Sequence, residues 1–398
     1  MSTRLNLMAP EIRDNPYPVF AELRRNAPVC QVDPGGMWAV SRYDDVVHAL
    51  KSHQLFSTEG LRLATEPAWF GRTNPVSDSM LFMDPPKHGR LRALVSRAFT
   101  PAVLARLEPG IRTRAEELVT GLLERRSVDF VEAFAMPIPA SVIGSLLGLE
   151  PSLHSRFKAW SNDIIAIGGT ALDDTRQQEQ CRRTVVEMET YLQQVLDSRR
   201  VALGDDMVSE LLRARVDGES LTNVELMGFL FLLLIAGLET TTNLLCHGVR
   251  MLAAHPDVLA RLRADPSLIP RFVEEVLRYE TPLQASLRLC TQDVVLGGVS
   301  LPRGAPVLLL HGSATHDERY FPDPERFDID RPGPQNLPFG HGVHFCLGAP
   351  LARLEARVAL EVLLARIGRV EMRTERVDWI PSLTMRGPRT LPVEVWAG

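Results

Sequence analysis

Apolar positions recur every three or four residues through much of the chain and alternate only over short runs, so helices should outnumber strands. From Gly89 to about Arg215, "RLRALVSRAF", "PGIRTRAEELVTGLLERR" and "TVVEMETYLQQVLDSRR" each carry the helical spacing. The first eighty residues instead hold short strand candidates around "GMWAVSRY", separated by turns. "DDM" near Asp205 and "DGESLT" near Gly218 mark loops. The pattern then predicts a long helix beginning near Thr222, where Thr222 and Glu225 have capping-box spacing. It should run to about Ala254, where His255–Pro256 stops it. At 1.5 Å per residue this helix is about 50 Å long. Its segment "LMGFLFLLLIAGL" (Leu226–Leu238) is apolar on most faces, which predicts a helix passing through the protein. A second helix, "PRFVEEVLRYETP", closes at Pro282. Strand-like "DVVLGG" and "APVLLLHG" flank the turn "VSLPRG". The amphipathic "LARLEARVALEVLLARIG" ends on a glycine stop, and "LPVEVW" is a last strand.

Helices and strands do not alternate regularly, which argues against a doubly wound sheet. No repeat or linker divides the chain. One domain over residues 1–398 is expected, mainly α with small β regions. The composition, 45% hydrophobic and 23% charged with a formal net charge of -5, is that of a soluble globular protein and gives no support for nucleic-acid binding. Many of the 29 prolines fall in short punctuating stretches such as "MDPPKHG" and "YFPDPERFD", as ordered turns. The apolar run ends at Glu239, too short for a membrane span, and the first residues lack a signal-type apolar segment. A cytoplasmic, monomeric protein without membrane contact is expected.

The five cysteines, Cys30, Cys181, Cys246, Cys290 and Cys346, are odd in number and widely spaced, with no CxxC pattern. A disulfide framework is therefore not indicated. Cys346 stands out by context. "FGHGVHFCLGAP" (Phe339–Pro350) places it among Gly340, Gly342 and Gly348, ahead of a strong helix. A solitary cysteine is usually a small buried hydrophobe. Here, however, the glycines let backbone approach the sulfur or a flat ligand, and free helix N–H groups favour a thiolate. Three chemistries remain open. Zinc would recruit His341, His344 and Cys346 but needs a fourth ligand. A nucleophilic thiol needs a base, for which His344 is a candidate. An axial thiolate on haem iron needs one cysteine alone.

Four separated stretches, in order, resemble the cytochrome P450 family, specifically its soluble bacterial members: "AGLETT" (Ala236–Thr241), "EVLR" (Glu275–Arg278), "PERF" with Arg326, and "FGHGVHFCLG". The likeness extends from "NPYPVFAELR" to "LPVEVW". It implies the cytochrome P450 fold, with the long central helix crossing above a haem b (iron protoporphyrin IX) whose axial iron ligand is Cys346. Thr240 and Glu239 interrupt an apolar helix, where unmatched polar groups are costly. Ala236 and Gly237 remove bulk beside them. The resemblance assigns Thr240 to hydrogen-bonding the reduced dioxygen and Glu239 to proton supply. It makes Glu275, Arg278 and Arg326 a buried salt-bridge network that supports the fold.

By the same resemblance, His88 and Arg92 of "DPPKHGRLR", Arg288 of "ASLRLC" and His344 contact the haem propionates. Phe339 and Gly348 flank the thiolate. One departure is Thr315–His316 in "GSATHDERYFPDP", where related sequences commonly read Asn–Arg, which puts local hydrogen bonding in question. The activity implied is insertion of one oxygen atom from O2 into a mid-sized hydrophobic substrate, with hydroxylation first and epoxidation next. The substrate would be a polyketide or other secondary metabolite, a terpenoid or steroid, or a fatty acid. Leu233, Leu283 and Ala285 are candidate pocket walls. Electrons are expected from a ferredoxin and an NAD(P)H-dependent ferredoxin reductase, docking on a basic patch drawn from Arg97, Arg106 and Arg353. A peroxide-driven peroxygenase and a non-catalytic haem gas sensor are the alternatives.

Overall fold

The structure is a computed structural model, and it describes residues 4–332 and 337–398. These gather into two compact units, one of residues 4–57, 112–135, 240–332 and 337–398, the other of Thr58–Ile111 and Met136–Glu239. Each unit is assembled from segments distant in sequence, which is why no linker is legible along the chain.

The first unit is built on a six-stranded sheet in the order Leu5–Asn6, Val29–Asp33, Met37–Val40, Pro306–Leu310, Ala285–Cys290 and Phe56–Ser57. Its strand Pro306–Leu310 runs parallel to Met37–Val40 and antiparallel to Ala285–Cys290. Period-two geometry divides that strand between two cores. Val307 and Leu309 pack with Tyr43, Val46, Ala49 and Leu50 of the helix Tyr43–Lys51. Leu308 and Leu310 pack with Tyr17, Phe20 and Leu23 of the helix Tyr17–Asn26. Cover on both faces explains the unbroken apolar run "VLLL". A three-stranded sheet orders Ile367–Met372, Pro392–Ala397 and Ser127–Asp129.

The expected long helix is Asn223–Ala254. Thr222 N–H donates to Glu225 Oε2 at 2.8 Å, and Glu225 N–H donates to Thr222 Oγ1 at 3.2 Å, which completes the capping box. Among the described residues it is the one helix long and apolar enough to cross a membrane, yet 61% of its apolar window is buried within the protein. Toward its C-terminal end, Gly248 gives Phe272 and Leu360 room to pack. Phe272 belongs to the helix Ile269–Tyr279 and Leu360 to the helix Ala349–Arg366. The second unit is mostly helical, with Pro137–Leu147 packed on His154–Ala166, and that helix on Thr175–Val201.

Three local readings change. "LARLEARVALEVLLARIG" stops at Arg366, where Ile367 already turns extended and Gly368 lies inside the next strand. "PGIRTRAEELVTGLLERR" belongs to a helix that starts at Pro101 and carries Pro109 within it. The first eighty residues also contain the helices Tyr17–Asn26 and Tyr43–Lys51 beside the expected strands.

Candidate functional site

Of the five cysteines, Cys346 alone is exposed. Burial pushes the thiols of Cys30, Cys181 and Cys290 above their ordinary range, which disfavours their thiolate forms. Cys346 sits at the end of a tight loop in which its N–H donates to Phe339 O at 2.9 Å. Gly342 has φ +70°, and a Cβ there would lie 2.5 Å from the Leu50 carbonyl oxygen, so the loop requires glycine at this position. Gly348 precedes the 18-residue helix Ala349–Arg366. A Cβ on Gly348 would stand 3.9 Å from Cys346 Sγ. Thus Gly342 shapes the backbone, while Gly348 is the glycine that borders the sulfur. Among the described residues no group of three or more His, Cys, Asp and Glu side chains is placed to hold a metal ion. The zinc alternative has no ligand set there.

A cationic edge lies near this loop in the same unit. Arg288, on the strand Ala285–Cys290, is 7% exposed. Two residues earlier on that strand, Ser286 Oγ meets His311 Nε2 at 2.9 Å. Burial, followed by the positive charges of Arg288 and His341, pushes the pKa of His311 down to about 3. The buried nitrogens His311 Nδ1 and His341 Nε2 have no hydrogen-bond partner among the described residues. Unpartnered ring nitrogens beside an arginine leave polar capacity that suits an anionic group such as a carboxylate. Together with a lone exposed thiol bordered by glycine, the buried Arg288 and these nitrogens fit a haem. His344 and Phe339 are half-buried beside the cysteine.

The ion-pair helix Ile269–Tyr279 locks the segment that leads toward the loop. Arg278 Nε and Nη2 each donate to Glu275 at 2.8 Å, and Nη1 reaches the Thr315 and Pro324 carbonyls at 3.2 and 2.9 Å. The second cation is Arg331, with Nε 3.4 Å from Glu275 Oε1 and a side chain 6% exposed. Arg331 also donates to the carbonyls of Pro322, Asp323 and Arg326. The expectation for Arg326 is therefore corrected. Its side chain is 67% exposed on Asp328, and only its carbonyl joins the network. The "PERF" turn directs that side chain outward and brings Arg331, five residues on, back into the interior. At the Thr315–His316 departure, Thr315 Oγ1 bonds Gly312 O at 3.3 Å and His316 Nδ1 meets the same carbonyl at 3.1 Å. The His316 ring packs on Tyr17 and Tyr279.

In the second unit, His88 is buried and Arg92 half-buried, one turn apart on the helix Lys87–Ser96. Along the central helix, Ala236 is exposed and Gly237, Glu239 and Thr240 are half-buried, whereas Thr241 through Val249 are buried throughout. The helix thus opens at its polar interruption. Gly237 does not open it, because a Cβ there would stand 2.9 Å from Ile143 Cδ1. Its bareness serves helix packing, and Ala236 provides the accessible surface. Leu233 is buried at 8% exposure. In the first unit Leu283 is half-buried and bridges to Met385. Ala285 is fully buried in the sheet core with Tyr17, Phe20 and Leu308, which removes it as a pocket wall.

Sequence reasoning missed Arg331, His311 and the clamp on Arg353. Arg353, expected in a docking patch, is held by Glu274 at 2.5 and 3.0 Å. Arg97 and Arg106 are exposed. A tandem "EE" ahead of "VLR" was the one available signal for Glu274.

Comparison with known proteins agrees with the geometry. "Cytochrome P450 109" of Bacillus spizizenii is 38% identical over 387 residues, covering 96% of this chain and 92% of that protein. The structure of CYP109Q5 from Chondromyces apiculatus superposes with a TM-score of 0.92 at 43% identity, covering 100% of both chains. CYP109E1 of Bacillus megaterium in complex with testosterone gives a TM-score of 0.86 at 36% identity, over 96% of this chain and 98% of that one. With the cytochrome P450 family pattern matched over residues 4–374 and these likenesses along nearly the whole length, the chain belongs to the cytochrome P450 family of haem-thiolate monooxygenases.

Proposed function

We propose that the chain binds haem b through the Cys346 thiolate and inserts one oxygen atom from O2 into a mid-sized hydrophobic substrate, by hydroxylation first. The observation that carries this reading is the single exposed thiol, seated at the start of a long helix with Gly348 against its sulfur. When bound, the haem supplies oxygen activation, and thiolate ligation favours cleavage of the O–O bond.

The chain's own residues orient and protect that chemistry. Arg288 and His344 in the first unit, and His88 and Arg92 in the second, are the proposed donors to the propionates. Phe339 shields the sulfur from water. Glu239 is the proposed proton source and Thr240 the proposed hydrogen-bond donor to the reduced dioxygen, consistent with the opening of the helix at Ala236. This acid–alcohol pair favours the O2-driven reaction over the peroxide-driven alternative, which needs no proton delivery to reduce the O–O bond. Electrons are proposed to come from a ferredoxin and its NAD(P)H-dependent reductase, in the cytoplasm.

For the substrate, Leu233 and Leu283 are the proposed apolar contacts. The testosterone complex of CYP109E1 makes steroids, alongside polyketides and fatty acids, the first compounds to screen. The test is a titration of such a panel, read by displacement of the iron's water ligand in the absorption spectrum. It is followed by mass analysis of turnover with ferredoxin, reductase and NADPH. A product heavier by one oxygen atom supports the reading, and reduction of O2 without oxygenation of any ligand that shifts the spectrum contradicts it. Thr240→Ala should divert electrons to hydrogen peroxide while haem stays bound. Unchanged coupling would remove Thr240 from its role.

A further inference from the structure

The adjacent acids Glu274 and Glu275 on the helix Ile269–Tyr279 turn about 100° apart, as consecutive helical residues must. Glu275 enters the network with Arg278 and Arg331. Glu274, 16% exposed, turns instead to the helix that follows the cysteine loop, where its two oxygens hold Arg353 Nε at 2.5 Å and Nη2 at 3.0 Å. This two-point clamp fixes the plane of the guanidinium. The plane is used. Arg353 lies 4.4 Å from the centre of the Phe339 ring, a stacking contact that lysine would not reproduce. Phe339 in turn accepts the Cys346 N–H at 2.9 Å. Three contacts therefore connect Glu274 to the thiolate candidate.

We propose that Glu274 and Arg353 form a counterpoised charge pair that seats the Phe339 ring beside Cys346 and sets the reduction potential of the metal centre the sulfur ligates. The inference rests on the Cys346 reading above. Arg353 is a positioning residue whose charge favours the reduced centre, which carries one more negative charge than the oxidised one. Glu274 offsets that bias. With 16% and 29% of the two side chains exposed, salt screens them less than free surface charges.

The test is the reduction potential of the haem-loaded enzyme, measured by spectroelectrochemistry in Glu274→Gln, Arg353→Gln and the double variant. Glu274→Gln should move the potential to more positive values and Arg353→Gln to more negative values, and the double variant should return toward the wild type. Loosening of the ring alone would move both single variants the same way, and that result, or no movement, overturns the proposal. If Arg353→Gln does not load haem, Glu274→Asp keeps the charge and should stay near the wild type while Glu274→Gln does not; equal potentials in those two overturn the proposal. The reduced, carbon-monoxide-bound spectrum separates the two layers. A wild type without the thiolate band removes the Cys346 reading and this proposal with it. A thiolate band with unmoved potentials removes the proposal alone.

Discussion

Replacing Arg331 with alanine removes an ion pair to Glu275 at 3.4 Å and hydrogen bonds to the carbonyls of Asp323 at 3.0 Å and Arg326 at 2.6 Å, together with one to Pro322. Taking one partner from a buried pair costs about 3–5 kcal/mol, because the remaining charge is left in a poorly solvating interior. Glu275 would keep Arg278 and the Asp328 N–H at 2.8 Å, so the lower end, about 3 kcal/mol, is expected. That corresponds to roughly a hundredfold change in the folded-to-unfolded ratio. Arg326→Ala is the matched control. Its side chain pairs with Asp328 in solvent, and such exposed substitutions change stability by about 0.5 kcal/mol or less. Urea unfolding followed by tryptophan fluorescence, with haem release read on the same samples, measures both. A clear fall in midpoint for Arg331→Ala and a small one for Arg326→Ala is predicted. Equal shifts, or a larger one for Arg326→Ala, would refute the assignment of Arg331 as the second cation.

Glu355, fully buried on the helix Ala349–Arg366, has its carboxyl pushed up to about 8 by burial. It therefore stays protonated in the folded protein while the unfolded chain ionises. Its contribution is fully present below about pH 4.5 and is lost progressively as pH rises toward 8, and the loss amounts to about 3 kcal/mol by pH 7 at ~1.4 kcal/mol per pH unit. Glu355→Gln should flatten the stability–pH curve over that window and stabilise the protein most at its upper end; an unchanged slope in denaturation from pH 4.5 to 8 would contradict this. Gly342→Ala should force the cysteine loop away from the Leu50 carbonyl, 2.5 Å from the new Cβ, and speed haem loss, whereas Gly340→Ala, where a Cβ meets nothing within 4 Å, should cost only its backbone strain. Equal rates of haem release in the two variants would count against that distinction.

The long-period features were legible in the sequence because one residue pattern determined each. The central helix had both its capping pair and its stop, and the cysteine loop had its glycines. What escaped depended on which way a chain segment turns. "PERF" and "FDIDR" each offer an arginine, and only the turn through Asp328 decides that Arg331 goes inward and Arg326 outward. Gly237 read as ligand space, but the approach of Ile143 from a different helix explains it. Ala285 read as a pocket wall from its neighbours in sequence, while strand alternation sends it into the sheet core. His311 carried no motif. It becomes informative only when the strand Pro306–Leu310 brings it to Ser286 and Arg288. The N-terminal helices were obscured because their apolar faces are short and many of their packing partners lie beyond residue 300, among them Val307, Leu308, Leu309 and Leu310.

The central claim is that the sulfur of Cys346 is the protein's bond to iron. The reduced, carbon-monoxide-bound absorption spectrum of purified, haem-loaded protein tests it most directly. The red-shifted band of thiolate ligation in the wild type, abolished in Cys346→Ala and retained in Cys290→Ala, is the predicted result. The same band surviving in Cys346→Ala, or missing from fully loaded wild type, would contradict it.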